Sequence, residues 1–412
     1  MKAHLLIPEL AGGRLHLGVT GSVAAYKALE LLRLWTKCGL KVSAALTEAA
    51  EEFVRPLSFS SLGADPVYPA MFSQNGRNRP GSFDHLEPGS SAQAMVIAPA
   101  TADFLAKLAC CLASDMLSSQ ALSFTRPLVI APAMNPRLWE AAATRENWEK
   151  LRTRGHLLIE PECGDVACGE EGCGRLARLE EIYLAGLKAL APQNMRGHKI
   201  MITLGPTKET WDAARFWSNP SSGLMGASLA VTAWLRGARV TVVAGPCQEL
   251  WLPLDIKRHD VVSAEEMRQA CLELWPDADI GCFTAAVADF KPLPYGTHKF
   301  KKNNSPQGFS LEFLPNPDIL AELSTKRDIK KKRPLIIAFA AESEIDPLAL
   351  KSKMETKKAD LLVANNISAP GSGFGVPTNE VLVMDKNGRE EAWPLMSKTE
   401  VAWRLWDWLK QI

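Results

Sequence analysis

Short apolar runs bounded by turn residues recur in the first part of the chain, and each is followed by a longer stretch with helical spacing. The runs with strand character cover residues 15–19, 41–46, 95–98 and 128–131. Strands that alternate with helices in this way are typical of a parallel sheet covered by helices on both faces. The pattern therefore predicts a doubly wound α/β domain.

The alternation stops near residue 161 and then resumes. Residues 161–175 are rich in glycine, cysteine and charge, a helical pattern covers 179–190, and a linker-like octet follows, A-P-Q-N-M-R-G-H. Strand patterns return at residues 199–203, 240–244, 280–284, 335–339 and 360–364. We therefore predict two doubly wound, Rossmann-like α/β domains with mainly parallel sheets, residues 1–190 and residues 191–412.

Composition restricts the partners and the compartment. The 412 residues include 47 basic and 46 acidic side chains, a net charge of +1 that provides no field for nucleic acid or an anionic membrane. The nine cysteines lack a framework spacing, which predicts free thiols in a reducing compartment. Pro8 and Glu9 interrupt the apolar N-terminus before a signal peptide could form. We expect a cytoplasmic protein that binds neither nucleic acid nor membrane.

The turn after the first predicted strand is a candidate phosphate site. It reads L-G-V-T-G-S-V-A-A-Y-K, in which Gly18 and Gly21 permit a tight turn and Ser22 can cap the next helix. The free N–H groups of such a helix start can receive a phosphate. Because the turn lacks the G-x-G-x-x-G dinucleotide fingerprint, a mononucleotide such as FMN fits better. A plain strand-to-helix turn is the alternative.

Three further positions in this half are candidates for binding or catalysis. Thr101 follows a strand in A-P-A-T-A-D, and Asn135 follows the next one in P-A-M-N-P-R-L-W. The amide of Asn135 suits a substrate carboxylate or amide, although an Asn in such a turn can equally be a helix cap. His85 lies in the polar segment F-D-H-L-E, where a solvent-facing role is the alternative.

Three cysteines, Cys163, Cys168 and Cys173, lie five residues apart in the glycine-rich segment. This spacing matches neither zinc sites nor iron–sulfur clusters, so we predict no metal site there. A cysteine flanked by glycines in a loop is suited to entering a pocket and donating the proton of its thiol.

The second half contains another candidate phosphate cradle, G-P-T-K-E followed by S-N-P-S-S-G-L-M-G, for which a capped helix start is an equal alternative. No P-loop motif occurs. The basic run H-K-F-K-K-N-N and the pair Lys353 and Lys357 are candidates for an anion site, against the alternative of solvated surface charge.

Taken together, these motifs carry a resemblance. In the first half, A-P-A-T-A-D, P-A-M-N and A-C-G-x-x-G-x-G-R resemble the flavin-dependent cysteine decarboxylases, above all the decarboxylase half of the bacterial bifunctional phosphopantothenoylcysteine decarboxylases and phosphopantothenate-cysteine ligases of coenzyme A synthesis. In the second half, S-N-x-S-S-G-x-M-G, A-A-V-A-D, K-x-K-K, N-P-D-I and F-A-A-E resemble the ligase half of the same family, in the family's order.

For the first half, the resemblance implies an N-terminal flavoprotein that converts 4'-phosphopantothenoylcysteine to 4'-phosphopantetheine and CO2. In that family FMN oxidises the substrate thiol, CO2 leaves, and the product is reduced with a loop cysteine as the acid. By position this cysteine is Cys168, with His85 as the active-site histidine and Asn135 as the substrate-binding asparagine, whereas Cys163 and Cys173 would pack or face solvent. The implied FMN contacts are Gly21, Ser22, Thr47, Pro99, Ala100, Thr101 and Ser114.

For the second half, the resemblance implies a ligase that activates 4'-phosphopantothenate with CTP to an acyl-cytidylate, from which cysteine displaces CMP. Asn219 would bind the carboxylate, Lys299 would stabilise charge during acyl transfer, and Mg2+ would screen the triphosphate. The metal ligands remain unassigned, and a homo-oligomer is implied. The implied CTP contacts are Phe283, Thr284, Ala285, Asp289, Lys299, Pro317, Asp318, Ile319, Leu320, Phe339, Lys353 and Lys357.

The chain departs from the family pattern at several positions. Pro220 replaces the usual His, and Leu224 replaces the usual Lys beside the second cradle, which removes a possible charge-assisted contact. Smaller changes are Ser22 for Gly, Leu138 for Met and Ser114 for Asn. The alternatives are a catalytically impaired regulatory flavoprotein, a decarboxylase with a non-functional ligase half, and a decarboxylase acting on peptide C-terminal cysteines.

Overall fold

The structure, a computed structural model, describes residues 2–71, 83–165, 169–247, 250–301, 307–328 and 333–409. It divides into two compact units. The first unit is Pro8–Pro192, and the second is Gln193–Ile412 together with Met1–Ile7.

The first unit is built on strands with these bounds: β1 Arg14–Val19, β2 Lys41–Leu46, β3 Ala64–Tyr68, β4 Ala94–Ala100, β5 Val129–Pro132, β6 Leu157–Leu158, β7 Glu162–Asp165 and β8 Glu171–Arg175. Its helices are α1 Lys27–Lys37, α2 Glu48–Glu51, α3 Pro56–Ser61, α4 Glu87–Ser91, α5 Ala102–Cys110, α6 Met116–Ser123, α7 Pro136–Glu140, α8 Ala142–Thr153 and α9 Leu179–Leu190.

The main sheet of this unit is parallel, in the order β3-β2-β1-β4-β5-β6. The central strands β1, β4 and β5 are nearly continuous runs of buried residues, as expected for a sheet covered on both faces, whereas the edge strands β3 and β6 are partly exposed. On one face α1 and α9 pack together, and Trp35 Nε1 donates to the Tyr183 carbonyl at 3.2 Å. On the other face α5, α6 and α8 bury Phe104, Leu117 and Trp148. The strand order reverses between β1 and β4, where open α/β sheets bind ligands.

The second unit has strands with these bounds: β9 Lys199–Leu204, β10 Lys208–Thr210, β11 Phe216–Ser218, β12 Arg239–Ala244, β13 Lys257–Asp260, β14 Ile280–Phe283, β15 Phe290–Pro292, β16 Phe313–Pro315, β17 Leu335–Glu342, β18 Leu361–Asn366, β19 Thr378–Asp385 and β20 Glu390–Ser397. Its helices are α10 Leu224–Leu235, α11 Ala264–Leu274, α12 Ile319–Thr325, α13 Pro347–Thr356 and α14 Lys398–Trp408.

The main sheet of the second unit has the order β13-β12-β9-β14-β17-β18-β19-β20. It is parallel as far as β18, and β19 and β20 extend it as antiparallel strands. Helices α10 and α14 cover one face, where Trp406 Nε1 donates to Thr232 Oγ1 at 2.9 Å. Helices α11, α12 and α13 cover the other face around Met267, Ile319 and Met354.

The predicted fold class is confirmed. Every predicted strand is present, and its ends shift by three residues at most. One difference concerns the predicted 1–190 domain, because the described residues 2–7 belong to the second unit. Leu5 and Ile7 are fully buried, the turn that carries Leu5 contacts α10 and α14, and His4 Nε2 bonds the Trp251 carbonyl at 2.7 Å. Packing on the second unit removes the apolar side chains of Leu5 and Ile7 from water, which is more favourable than leaving them exposed in a free tail.

The predicted set of free thiols is wrong at one pair. Cys163 and Cys173 form a disulfide rather than packing separately or facing solvent. They are cross-strand partners in the antiparallel β7–β8 hairpin, which the glycine-rich sequence did not predict. Among the described residues, Cys38, Cys110, Cys111, Cys247, Cys271 and Cys282 are free. None of the described helices has both the length and the apolar character needed to cross a bilayer.

Candidate active sites

The first unit contains a cavity of about 1040 Å³ at the carboxyl ends of β1, β2 and β4. Thr20, Thr47 and Thr101 line it just beyond these three strands. The β1 turn closes tightly because Gly21 has no side chain; an added Cβ would lie 2.4 Å from the Ala49 Cβ. The cavity therefore occupies the position where the strand order reverses, with closely approaching backbone on one side.

The hydroxyl groups around this cavity cap the N-termini of helical segments. Ser22 Oγ accepts from the Ala24 N–H at 3.3 Å, Thr47 Oγ1 from Ala50 at 3.2 Å, and Thr101 Oγ1 from Phe104 at 3.3 Å. A hydroxyl that accepts such a capping bond still has its own hydrogen to donate. The cavity wall thus presents hydroxyl donors and helix starts together, an arrangement suited to an anion such as a phosphate.

The predicted FMN contacts are placed in two layers. Gly21, Ser22, Thr47, Thr101 and Ser114 line the cavity. Pro99 and Ala100 lie behind the lining, at the end of β4. There the Pro99 carbonyl accepts from Thr20 Oγ1 at 2.8 Å, and Thr20 Oγ1 accepts from the Thr101 N–H at 2.9 Å. These bonds hold the lining turns of β1 and β4 together.

Asn135 lines the same cavity and also caps α7. Its Oδ1 accepts from the Arg137 N–H at 2.8 Å, and its Nδ2 donates to Glu170 Oε2 at 3.0 Å. Glu170 also pairs with the Arg137 guanidinium. Asn135 therefore caps α7 and lines the cavity with one side chain, whose amide orientation is set by the two bonds, and its binding of substrate stays a prediction.

The β7–β8 hairpin forms part of the cavity wall through Asp165, Gly174 and Arg175. The Met134 N–H donates to the Gly174 carbonyl at 2.9 Å. At Gly174 (φ 157°) an added Cβ would lie 2.3 Å from the Met134 carbonyl oxygen, so only glycine permits this docking. Cys168 belongs to the segment between the two strands but lies outside the described residues.

His85 is half-buried in the turn before α4 and does not line the cavity of this unit. Its carbonyl accepts from Ser123 Oγ at 3.4 Å, and its ring contacts Phe83 edge-on with centroids 6.2 Å apart. Within the described part of the unit, the structure therefore does not bring His85 together with Asn135.

Sequence reasoning missed a charged group in this cavity. Lys107 lies in the lining and pairs with Asp115 at 2.9 Å and Asp103 at 3.1 Å. Burial lowers the pKa of Lys107, but the hydrogen bonds that its ammonium donates to Asp115 and Asp103, together with the negative charge of both carboxylates, outweigh burial and leave the pKa raised. The i,i+4 spacing of Asp103 and Lys107 on α5 was the available signal.

The second unit contains a cavity of about 640 Å³ at the carboxyl ends of β9, β14, β17 and β18. Asn219 lines it, and its Nδ2 donates to the Ala286 and Val287 carbonyls, each at 3.2 Å. The structure brings these predicted CTP contacts into the lining: Phe283, Thr284, Ala285, Asp289, Pro317, Asp318, Ile319, Leu320, Phe339, Lys353 and Lys357. Lys299 is exposed in the loop after β15 and lies outside the lining.

Lys353 in α13 and Lys357, the residue that caps the C-terminus of this helix, both face carboxylates. Lys353 Nζ bonds Glu342 Oε1 at 2.8 Å, and Lys357 pairs with Asp318. Burial raises the pKa of Asp318, but the hydrogen bonds from Lys357 and the Ala321 N–H, together with the positive charge of Lys357, leave that pKa below its ordinary value. Both lysines are thus held in place by ion pairs that a polyphosphate could exchange for its own oxygens.

The predicted phosphate cradle of the second unit leads into α10 at Gly223, whose φ of 73° lies in the left-handed region. At Gly226, in the first turn of α10, an added Cβ would lie 2.5 Å from both Leu204 Cβ and Thr284 Oγ1. Glycine there lets the helix start approach the sheet closely. Leu224, where the family pattern has Lys, lines the cavity with an apolar side chain.

A third lysine of this cavity, Lys398, was missed by sequence reasoning. It begins α14, far along the chain from every quoted motif, and no local pattern distinguishes it. Over the described ranges, no cluster of three or more His, Cys, Asp or Glu side chains could hold a metal ion.

Comparisons with known proteins agree with this division. Residues 8–188 match the flavoprotein family model, and residues 195–412 match that of the DNA/pantothenate metabolism flavoprotein C-terminal domain. The coenzyme A biosynthesis bifunctional protein CoaBC of Vibrio vulnificus is 36% identical, with 98% of both chains covered. The Bacillus subtilis protein of the same name is 38% identical, with 94% of both covered, and the Escherichia coli protein 37%, with 95% of both covered.

Among solved structures, the C-terminal domain of a CoaBC protein is 32% identical and covers 53% of this chain and 97% of that one, with a TM-score of 0.44. The FMN-dependent cysteine decarboxylase SpaF is 31% identical and covers 44% of this chain and 99% of that one, with a TM-score of 0.37. On the near full-length similarity to curated relatives, the chain belongs to the family of bifunctional coenzyme A biosynthesis proteins CoaBC.

Proposed function

We propose that the two units catalyse consecutive steps of coenzyme A synthesis, ligation in the second unit and decarboxylation in the first. In the ligation, the carboxylate of 4'-phosphopantothenate attacks the α-phosphorus of CTP and pyrophosphate leaves. The amine of cysteine then attacks the acyl carbon and CMP leaves. The resulting 4'-phosphopantothenoylcysteine loses CO2 and becomes 4'-phosphopantetheine. The observation that carries the proposal is the near full-length similarity to bifunctional relatives, with a separate cavity in each unit.

The first cavity fits FMN. The Gly21 turn has no space for a side chain, and the hydroxyls of Ser22, Thr47 and Thr101 can each donate to a phosphate oxygen beside a helix start. A volume of about 1040 Å³ is at the upper end for a small-molecule site. Bound FMN would accept the electrons that the substrate thiol gives up and return them to the product.

The other residues of this cavity orient the substrate and supply a proton. Asn135, fixed by its bonds to Arg137 and Glu170, would hold the substrate from the cavity wall. Arg175, on the hairpin, supplies a positive charge to the same wall. The Cys168 thiol would donate the proton that the reductive part of the cycle requires. The role of His85 remains a prediction.

In the second cavity, Lys353 and Lys357 would bind the triphosphate of CTP, and Asn219 would bind the carboxylate that becomes activated. Lys299 lies in an exposed loop, from which it would stabilise the negative charge of the acyl-transfer transition state. Mg2+ would be held mainly by phosphate oxygens and water.

We also propose that the protein is a homo-oligomer. In the second unit, the paired strands β10–β11 and β15–β16 expose Phe216, Trp217 and Phe290 by 51%, 52% and 53%. Leu314 and Tyr295 extend this apolar surface. A patch of this kind on a folded domain is typical of a protein interface. Because its substrates are charged, phosphorylated metabolites, we propose a cytoplasmic location.

One incubation tests both activities. The purified chain is mixed with 4'-phosphopantothenate, cysteine, CTP and Mg2+, and CMP and CO2 are followed separately. We expect CMP to appear first and CO2 to follow, and CO2 alone when 4'-phosphopantothenoylcysteine is supplied without CTP. In a further sample, 4'-phosphopantothenoylcysteine is added to the complete first mixture. Release of CO2 without CMP from that sample would indicate a non-functional ligase half. A yellow protein that releases neither product would indicate a regulatory flavoprotein.

A further inference from the structure

Lys398 is a buried cation in the second cavity, and no carboxylate among the described residues pairs with it. Its side chain lines the cavity, and the residue is 4% exposed. Its Nζ donates to the Gly373 carbonyl at 2.9 Å, and in the described part of the chain it forms no ion pair. Lys353 and Lys357, in the same lining, each pair with a carboxylate. A buried ammonium with one neutral acceptor retains two hydrogens for a further partner.

The first turn of α10, in the same cavity, also has unused donors. Gly223 provides no side-chain cap to this 12-residue helix. Within the described ranges, the N–H groups of Leu224, Met225 and Gly226 meet no acceptor before the regular bonding of the helix starts with Ala227. These N–H groups carry the partial positive charge of the helix start and favour a negatively charged ligand.

Asn379 connects Lys398 to this helix start. Its Oδ1 accepts from the Gly373 N–H at 3.3 Å, and its Nδ2 contacts Met225 Sδ at 3.7 Å. The buried Asn379 and Lys398 therefore bind the N–H and the carbonyl of Gly373, Asn379 next to the α10 start and Lys398 at the α14 start. Met225 of α10 and Lys398 of α14, both in the lining, are thus linked through Asn379 and Gly373.

We propose that Lys398 and the first turn of α10 together bind a phosphate group of a ligase substrate. The inference rests on the proposed ligase function and adds a binding residue to it. Lys398, at the start of α14, would thus provide a positive charge at the α10 cradle, because the apolar side chain of Leu224 provides none. Phosphate is the shared chemistry of the two candidate sources, the triphosphate of CTP and the phosphate monoester of 4'-phosphopantothenate. Burial lowers the pKa of Lys398 to about 8, and a bound anion would stabilise its protonated form.

The test compares Lys398→Met, Lys398→Arg and, as a matched control, Lys351→Met, which removes an exposed lysine of α13. The KM for CTP and for 4'-phosphopantothenate is measured with each variant, and pantothenate replaces 4'-phosphopantothenate in a parallel series. We expect Lys398→Met to raise one KM about 10- to 100-fold, as for loss of a charge-assisted hydrogen bond. Lys398→Arg should restore most of the affinity, and Lys351→Met should behave as wild type.

The arms of the experiment separate the two sources. A rise for 4'-phosphopantothenate alone, with unchanged turnover of pantothenate, supports the monoester; a rise for CTP alone supports the triphosphate. Unchanged KM values, or a fall in kcat alone, overturn the proposal and leave Lys398 as a support for the Gly373 turn. If the wild-type protein releases no CMP, the proposed ligase function itself fails, whatever the variants do.

A second measurement does not depend on the Met variant folding. Above pH 8 the wild-type lysine loses its proton, so the affected KM should rise between pH 7.5 and 9.5, whereas Lys398→Arg should show a flat KM. The other titratable side chains in the lining are Asp289, Asp318, Lys353 and Lys357, which are common to both proteins. Parallel KM profiles for the two proteins would overturn the proposal.

Discussion

Cys163 and Cys173 are joined by a disulfide across the β7–β8 hairpin, with their Cα atoms 3.8 Å apart. The hairpin contributes Asp165 and Arg175 to the first cavity, and its connecting segment includes Cys168. The cross-link therefore restrains a wall of the proposed decarboxylase site.

Replacing both cysteines, in Cys163→Ser with Cys173→Ser, is expected to loosen this wall. A cross-link that closes a loop of about ten residues stabilises it by roughly 2–3 kcal/mol in the chain-entropy account. We expect faster hydrogen exchange in β7 and β8 and a higher KM for 4'-phosphopantothenoylcysteine, with CMP release unchanged. Cys110→Ser, which removes an exposed free thiol of the same unit, is the control. Exchange as slow as in the wild type would mean that backbone pairing alone restrains the hairpin.

Cys168→Ser is expected to separate the two parts of the decarboxylase cycle. A serine hydroxyl is a far weaker acid than a thiol, so the reductive step should stall while FMN remains bound and CO2 is still released. Flavin absorbance, CO2 and 4'-phosphopantetheine are measured on the same sample. Wild-type yields of 4'-phosphopantetheine from this variant would remove Cys168 from the proton-donor role.

Lys299→Gln is expected to lower ligation and spare decarboxylation. Loss of a fixed cation beside a developing oxyanion typically costs about 10²–10³-fold in rate. CMP release with all substrates reports ligation, and CO2 release from supplied 4'-phosphopantothenoylcysteine reports decarboxylation. Lys257→Gln, which changes an exposed lysine on β13, is the matched control. Ligation at the wild-type rate in the Gln variant would exclude Lys299 from the site.

The first unit should lose stability as the pH falls below about 6.5, because His16 is buried in its neutral form. Nε2–H donates to Gln120 Oε1 at 3.0 Å, and Nδ1 bonds Ser43 Oγ at 2.9 Å. Burial lowers the pKa of His16 to about 4, so between pH 6.5 and 4 the unfolded chain binds the proton more readily than the folded one. The stabilisation is complete above pH 6.5, and about 2 kcal/mol is lost by pH 5.

Hydrogen exchange of the β1 amides between pH 5 and 7.5, corrected for the intrinsic rate, measures this loss. His16→Gln should remove the His16-dependent part of the slope, even though it lowers stability at every pH. His259→Gln, at an exposed histidine of the second unit, should leave the β1 profile unchanged. A profile for His16→Gln parallel to that of the wild type would contradict the prediction.

Much of the architecture could be predicted because its signals are local. A buried parallel strand is a short apolar run, as at β2 and β9, and the helix starts follow recognisable turns at Gly21 and Gly223. The added strands were less visible. β10, β11, β15 and β16 are three residues long each, and β19–β20 extends the sheet in the antiparallel sense. Such short or edge strands depend on pairing with distant segments.

The sequence by itself determined the two α/β domains, the family and the motifs that supply candidate cavity residues, since each depends on residues close together in the chain. Only the tertiary structure decided which of these residues share a cavity. It placed Lys353 and Lys357 in one lining with Asn219 but left Lys299 in an exposed loop. The Cys163–Cys173 cross-link likewise depends on the pairing of β7 with β8, and the burial of Lys398 depends on the packing of α14 against segments far away in the chain, which the residues around Lys398 do not encode.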